Sequence, residues 1–87
     1  MKEIKIKVFG DSGHAWARFP KARLVKLGIA DKITPYSYQN GVNAFLEEDC
    51  DLSTLINTLQ ARGYKLKFEE SYTNKRSKIR SYNSYHA

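Results

Sequence analysis

The stretch Gly13–Asp51, GHAWARFPKARLVKLGIADKITPYSYQNGVNAFLEEDCD, decides the fold because it carries its own punctuation. Before Pro20 the residues alternate, with His14, Trp16 and Arg18 on one face and Ala15 and Ala17 on the other. That period predicts a strand over 14–19. Pro20 suits the first position of a helix, where its missing N–H costs nothing. Leu24, Val25 and Leu27 supply an apolar side and Gly28 a natural stop, so a short helix is expected. Asn40-Gly41 separates two alternating segments, 36–39 and 42–47. This dipeptide signals a hairpin, through a type I′ turn with positive φ at both positions. Asp49 or Asp51 is then placed to cap a second helix.

The same reading extends outward. Lys2 to Phe9 sets Ile4, Ile6 and Val8 against Lys5 and Lys7, a half-buried strand, and Gly10-Asp11-Ser12-Gly13 reads as a turn. Leu52, Leu55, Ile56 and Leu59 recur at the spacing of a core-facing helical stripe. Arg62 complements the negative end of that helix and Gly63 ends it. Tyr64, Leu66 and Phe68 alternate with Lys65 and Lys67 as a final strand. From Ser71 onward the aliphatics vanish except Ile79, so 71–87 is expected to be either a disordered tail or an arm that orders against something else. The expected architecture is a single α+β domain over 1–70 in the order β-β-α-β-β-α-β. It comprises an antiparallel sheet with two helices on one face, followed by a basic tail over 71–87. The opposite, tyrosine-rich face is free to stay open.

Charge is unevenly placed in these 87 residues of net charge +6. Residues 1–46 hold eight Lys/Arg against three acids, residues 47–70 hold three against six, and residues 71–87 hold four and no acid. A basic front and a basic tail around an acidic middle point to an acidic partner, either nucleic acid or an acidic protein surface. No apolar run approaches the ~20 residues of a spanning helix. The N-terminus alternates like a strand and lacks the apolar core of a signal peptide. A cytosolic protein without membrane association is expected.

The chemistry-bearing residues do not assemble into a catalytic motif. Cys50 is the only cysteine, so no internal disulfide forms. Its neighbours Glu48, Asp49 and Asp51 should raise its pKa, against a reactive thiolate. Glu47, Glu48, Asp49 and Asp51 lack the interleaved pattern and turn glycine of a calcium loop, and read as ordinary acid at a helix start. There is no Gly-rich phosphate loop, Ser/His/Asp set or paired-carboxylate cleft. No enzymatic activity, cofactor or metal is expected.

Three groups are candidates for partner binding. His14, Trp16 and Arg18 share a strand face, and Trp and Arg are enriched in binding hot spots. Tyr36 and Tyr38 add aromatics of the kind that stack on bases or fill protein interfaces. In the tail, Lys75, Arg76, Lys78, Arg80 and Tyr82 form a cationic segment fit for phosphate or an acidic patch.

Two resemblances follow. The pattern formed by Gly13-His14, Trp16, Leu24, Leu27 to Ile29, Asp31, Ile33, Tyr36 to Gln39, Leu46 to Asp51 and Ile79 to Tyr82 resembles a family of small, largely uncharacterised proteins encoded by phages, plasmids and related mobile elements. The resemblance implies a genomic setting in which small proteins bind and disable host machines, including CRISPR effectors and other defence proteins. The partner would then be a host protein or nucleoprotein complex, met in the host cytoplasm by a monomer or homodimer. The second resemblance covers residues 4–47. Phe19, Pro20, Lys21, Leu24, Leu27 and Gly28 follow the strand-Pro-Lys-helix-Leu-Gly spacing of the AbrB-like swapped-hairpin DNA-binding fold. It implies a DNA- or RNA-binding regulatory dimer. The usual Gly-Asp before the hairpin is replaced by Ala30-Asp31-Lys32, and the chain continues into a second helix and strand.

Overall fold

Alternation along the N-terminal strands is what places the core. In the computed structural model, which describes residues 2–87, β1 (Lys2–Gly10) and β2 (Ala15–Pro20) form an antiparallel hairpin in which Phe9 lies opposite Trp16 and Val8 opposite Ala17. Ile6, Val8, Ala17 and Phe19 therefore point to one face, and Lys5, Lys7, Phe9, Trp16 and Arg18 to the other. The chain continues through α1 (Lys21–Lys26), a 3₁₀ turn at Ala30–Lys32, β3 (Tyr38–Asn40), β4 (Asn43–Glu47), α2 (Leu52–Ala61) and β5 (Tyr64–Tyr72). A second 3₁₀ turn at Lys78–Ser81 then leads into β6 (Asn83–Ser84). The described residues form an α+β domain with one six-stranded sheet in the order β5-β1-β2-β4-β3-β6. Among them, no helix is long and apolar enough to cross a membrane.

The sheet is mixed rather than wholly antiparallel, which corrects the expected topology. β5 pairs with β1 in parallel along its whole length, from Lys2 opposite Tyr64 to Gly10 opposite Tyr72. The reason lies in α2. A helix between two strands carries the chain back to the end where the first strand began, so β4 and β5 run the same way. β5 passes over β2 and β1 to reach the sheet edge.

Leu24 of α1 and Leu55 and Leu59 of α2 are fully buried against Ile6, Val8, Ala17, Phe19, Ala44 and Leu46, so both helices cover one face. Val25, on the expected apolar side of α1, is instead 67% exposed, because it lies about 100° around the helix from buried Leu24. Pro20 is the last residue of β2 and the N-cap of α1 (φ −63°, ψ 132°), one position earlier than expected. The predicted hairpin forms one residue later. Asn40 pairs with Asn43, leaving Gly41 (φ 60°) and Val42 as the loop. Asn40 does not adopt positive φ, and Gly at the first central position is the type II′ arrangement rather than I′.

The C-terminal residues are part of this domain's packing. Ser71 and Tyr72 continue β5, and Asn83 and Ser84 pair with Gln39 and Tyr38. Ile79 is buried with Trp16 and Phe45 in a second, smaller core on the outer face, flanked by Phe9, Tyr38 and Tyr82. Tyr85 reaches the main core, where its hydroxyl donates to the Ala30 carbonyl at 2.6 Å. A segment poor in aliphatics holds because its two buried hydrophobic side chains, Ile79 and Tyr85, enter places that the sheet forms.

Ile79→Ala is expected to lower unfolding stability by about 2–5 kcal/mol, the usual cost of truncating a buried aliphatic. It should also shift Trp16 emission to the red. Urea denaturation followed by fluorescence checks both, and an unchanged midpoint would contradict the packing of this segment.

Candidate functional site

The site is built around a turn that a single carboxylate organises. Asp11 Oδ1 accepts from the backbone N–H groups of Gly13 and His14, both at 3.0 Å, and so shapes the β1–β2 turn. Oδ2 accepts from the N–H of Ser77 at 3.0 Å and from Arg80 Nε at 2.6 Å, while Arg80 Nη2 donates to Oδ1 at 2.9 Å. The Asp11 side chain is 2% exposed. Arg80, donating in this fork, and then the Ser77 N–H hold its carboxyl well below the usual carboxylate range. Gly13 accommodates the arrangement, since a Cβ there would lie 2.9 Å from Arg80 Nη2.

Arg80 carries this link across the outer face. Its guanidinium lies 5.2 Å from the Trp16 ring centroid, and Tyr38 meets the same ring edge-on at 6.2 Å. Trp16 is 2% exposed, so it forms the floor of a cleft rather than a contact surface. Among the described residues its buried Nε1–H has no acceptor. Around this floor stand His14, Tyr36, Tyr38, Glu47, Asp49 and Cys50, enclosing about 300 Å³.

The acidic rim is positioned by backbone contacts. Glu47 is buried, and its Oε2 accepts from the N–H groups of Asp49 (3.1 Å) and Cys50 (3.0 Å). Its Oε1 is left 3.5 Å from His14 Nδ1. One ligand-type atom from each of His14, Glu47 and Asp49 lies within 4.8 Å of the other two, so these three could share a divalent cation. Asp51 does not join them. It occupies the N-cap position of α2 without capping it, because its carboxylate is taken by the 34–37 loop. It accepts from the Thr34 N–H and hydroxyl and from the Ser37 hydroxyl, and Ser37 Oγ in turn accepts from the Glu47 N–H. The run of acids thus splits between the cleft and an internal tie.

Cys50 is exposed on the cleft rim. The adjacent Glu47 carboxylate, with burial and the charges of Asp51 and Asp49 behind it, pushes the thiol up. That direction agrees with the sequence reading, with Glu47 as the largest cause. It makes the thiolate scarce at neutral pH.

Of the sequence candidates, the structure brings His14, Trp16, Tyr36, Tyr38 and Arg80 into the cleft, and Tyr82 packs on Phe45 at 5.2 Å beside it. Lys75, Arg76 and Lys78 border a separate apolar hollow with Phe9, Tyr72 and Ile79. Arg18 sits elsewhere on the outer face, 5.6 Å from the Phe9 ring centroid. There it borders another hollow with Lys5, Lys7 and Arg23, a cationic group interrupted by Glu69. The alternation of β1 had already put Lys5 and Lys7 outward, and what sequence could not supply was their adjacency to Arg18 and Arg23. Glu47, Asp49 and Cys50 carry only local signals in the sequence, acid at a helix start and a lone thiol, and the fold makes them cleft residues. The segments Gly13–Trp16, Tyr36–Gln39, Leu46–Asp51 and Ile79–Tyr82 all contribute to the cleft or its support. No family model, curated protein or solved structure matches this chain.

Two outcomes are expected. Because the folded pKa of Asp11 lies below its unfolded value of about 4, its contribution is fully present above that pH and fades as pH falls toward the folded value. Asp11→Asn should therefore be less stable than wild type at pH 7, with the gap narrowing in acid, as read by thermal melts across pH. Alkylation of Cys50 by iodoacetamide at pH 7 should be slower than that of an unstructured cysteine peptide, and faster in Glu47→Gln.

Proposed function

We propose that this protein is a small non-enzymatic binding protein that acts by covering a surface of a larger partner. In the phage or plasmid setting that its sequence resembles, the partner is a host factor, such as a CRISPR effector or another defence protein, met in the cytoplasm. The observation that carries this reading is the division of the outer sheet face. A preformed cleft floored by Trp16 lies on the same sheet face as the cations Lys5, Lys7 and Arg18, whose hollow is also bordered by Arg23 of α1. Side chains held on strands lose little freedom on docking, which favours affinity. A standard interface needs only about 800 Å² per partner, within reach of one face of this domain. The exposed cations suit an acidic protein surface or the nucleic acid of a nucleoprotein complex.

Direct binding to DNA or RNA is the second reading. It is favoured by the same cations and by Arg18 lying over Phe9, a pairing of charge and aromatic surface suited to a nucleic-acid strand. Its mark is affinity that falls steeply with salt as counterions are released.

A tagged pull-down from host lysate, with and without nuclease, separates the two. A protein retained after nuclease, and lost when Lys5, Lys7 and Arg18 are changed together to Glu, is the expected result. Loss of all captured material on nuclease treatment would give the nucleic-acid reading the lead. Capture unchanged by the triple substitution would overturn the role of this face.

A further inference from the structure

The two edges of the sheet are unlike. One ends in β6, two residues long. The other ends in β5, nine residues from Tyr64 to Tyr72 paired only to β1, with no Pro or Gly to interrupt it. A long open strand presents a row of N–H and C=O groups to another strand, and proteins ordinarily shorten, break or cover such an edge. β5 also displays apolar surface. Phe68 is 43% and Tyr72 68% exposed, and Tyr64, Leu66 and Phe68 share a hollow with Ile56 and Gln60 of α2.

The charge order along β5 names its occupant. The strand reads YKLKFEESY, with lysines in its first half and glutamates in its second. Reversed against itself about Phe68, such a strand sets Lys67 against Glu69, while Lys65 meets Ser71 and Leu66 meets Glu70. We propose that β5 pairs antiparallel with β5 of a second copy, across a two-fold axis at Phe68, to join two six-stranded sheets into one.

Face parity and charge together select this register. In a continuous sheet, directly opposed residues share a face, so the axis must pass through a residue opposite its own copy. Centring on Lys67 or Glu69 opposes like charges on the axis itself. Centring on Leu66 sets Lys65 against Lys67, and centring on Glu70 again opposes two carboxylates. Centring on Phe68 pairs all nine residues and opposes no like charges. It sets Phe68 against Phe68, Tyr64 against Tyr72, and Lys67 against Glu69 twice. Opposed aromatic and opposite-charge pairs stabilise antiparallel strands, and like charges directly opposite destabilise them. Among the described residues Lys67 has one ion-pair contact, a long one of 3.9 Å to exposed Glu3, so it is available to a partner. The axis also brings the two α2–β5 hollows together on the helix side.

Sedimentation velocity on the full chain over a concentration series tests the proposal. Wild type should reach twice the chain mass as concentration rises. Lys67→Glu and Glu69→Lys should each be monomeric, because each opposes like charges twice. An equimolar mixture of the two should dimerise again, as should the double variant, since both restore opposite charges at every position. Recovery in the mixture also shows that neither single variant is merely misfolded. A wild type that stays monomeric to its solubility limit would overturn the proposal. So would a dimer indifferent to both single reversals, or singles that the mixture fails to rescue. Glu69 borders the hollow of Lys5, Lys7 and Arg18, but the readout is the mass of the protein alone, so its failure is distinct from a failure to capture a partner.

Discussion

The Asp11 carboxylate is the constraint on which the outer half of the structure depends. It satisfies three backbone N–H groups and the fork of Arg80 at once, joining the first hairpin to a segment almost seventy residues later. A carboxylate buried this far is tolerable only with its lone pairs occupied and its charge matched. Because Arg80 is anchored, its flat guanidinium can lie over Trp16, and Ile79, one residue earlier, drops between Trp16 and Phe45. That anchor acts together with the burial of Ile79 and Tyr85 and the β3–β6 pairing to hold this segment on the sheet.

A second carboxylate plays the matching part at the other side of the cleft. Asp51 holds the 34–37 loop through Thr34 and Ser37, and Ser37 passes the connection to the Glu47 backbone. Tyr36 and Tyr38 are thereby set at the rim, and Glu47 is left free to organise the 48–50 turn. The cleft is thus framed by fixed backbone at both ends. The cationic hollow needs no such frame, since it stands on β1, β2 and the start of α1. One sheet face therefore presents two chemically different regions, an acidic aromatic cleft and a basic open patch.

Much of the architecture was legible because burial imposes a period on the chain. Ile4, Ile6 and Val8 announce a strand, Leu52, Leu55, Ile56 and Leu59 a helix, and Gly28, Gly41 and Gly63 the places where φ turns positive. The cleft was partly legible too, since His14, Trp16, Tyr36, Tyr38 and Arg80 stood out by type. Glu47 and Asp49 did not, because acid at the start of a helix has an ordinary local explanation. Asp11 was read as a turn residue, which it is, but nothing near it in sequence announces Arg80.

What the sequence determined by itself is therefore local: which segments are strands or helices, where they stop, and which side of each faces inward. These follow from backbone sterics and from the repeat distances of the two regular structures. Tertiary structure alone decided which strands became neighbours. A period of two records that a face is buried but not against what, so neither the parallel pairing of β5 with β1 nor the place of β6 could be read from it. The fate of residues 71–87 was likewise a tertiary matter. Ile79 and Tyr85 carry no period, and they are ordered because a buried carboxylate, an aromatic floor and an open carbonyl at Ala30 were waiting in space.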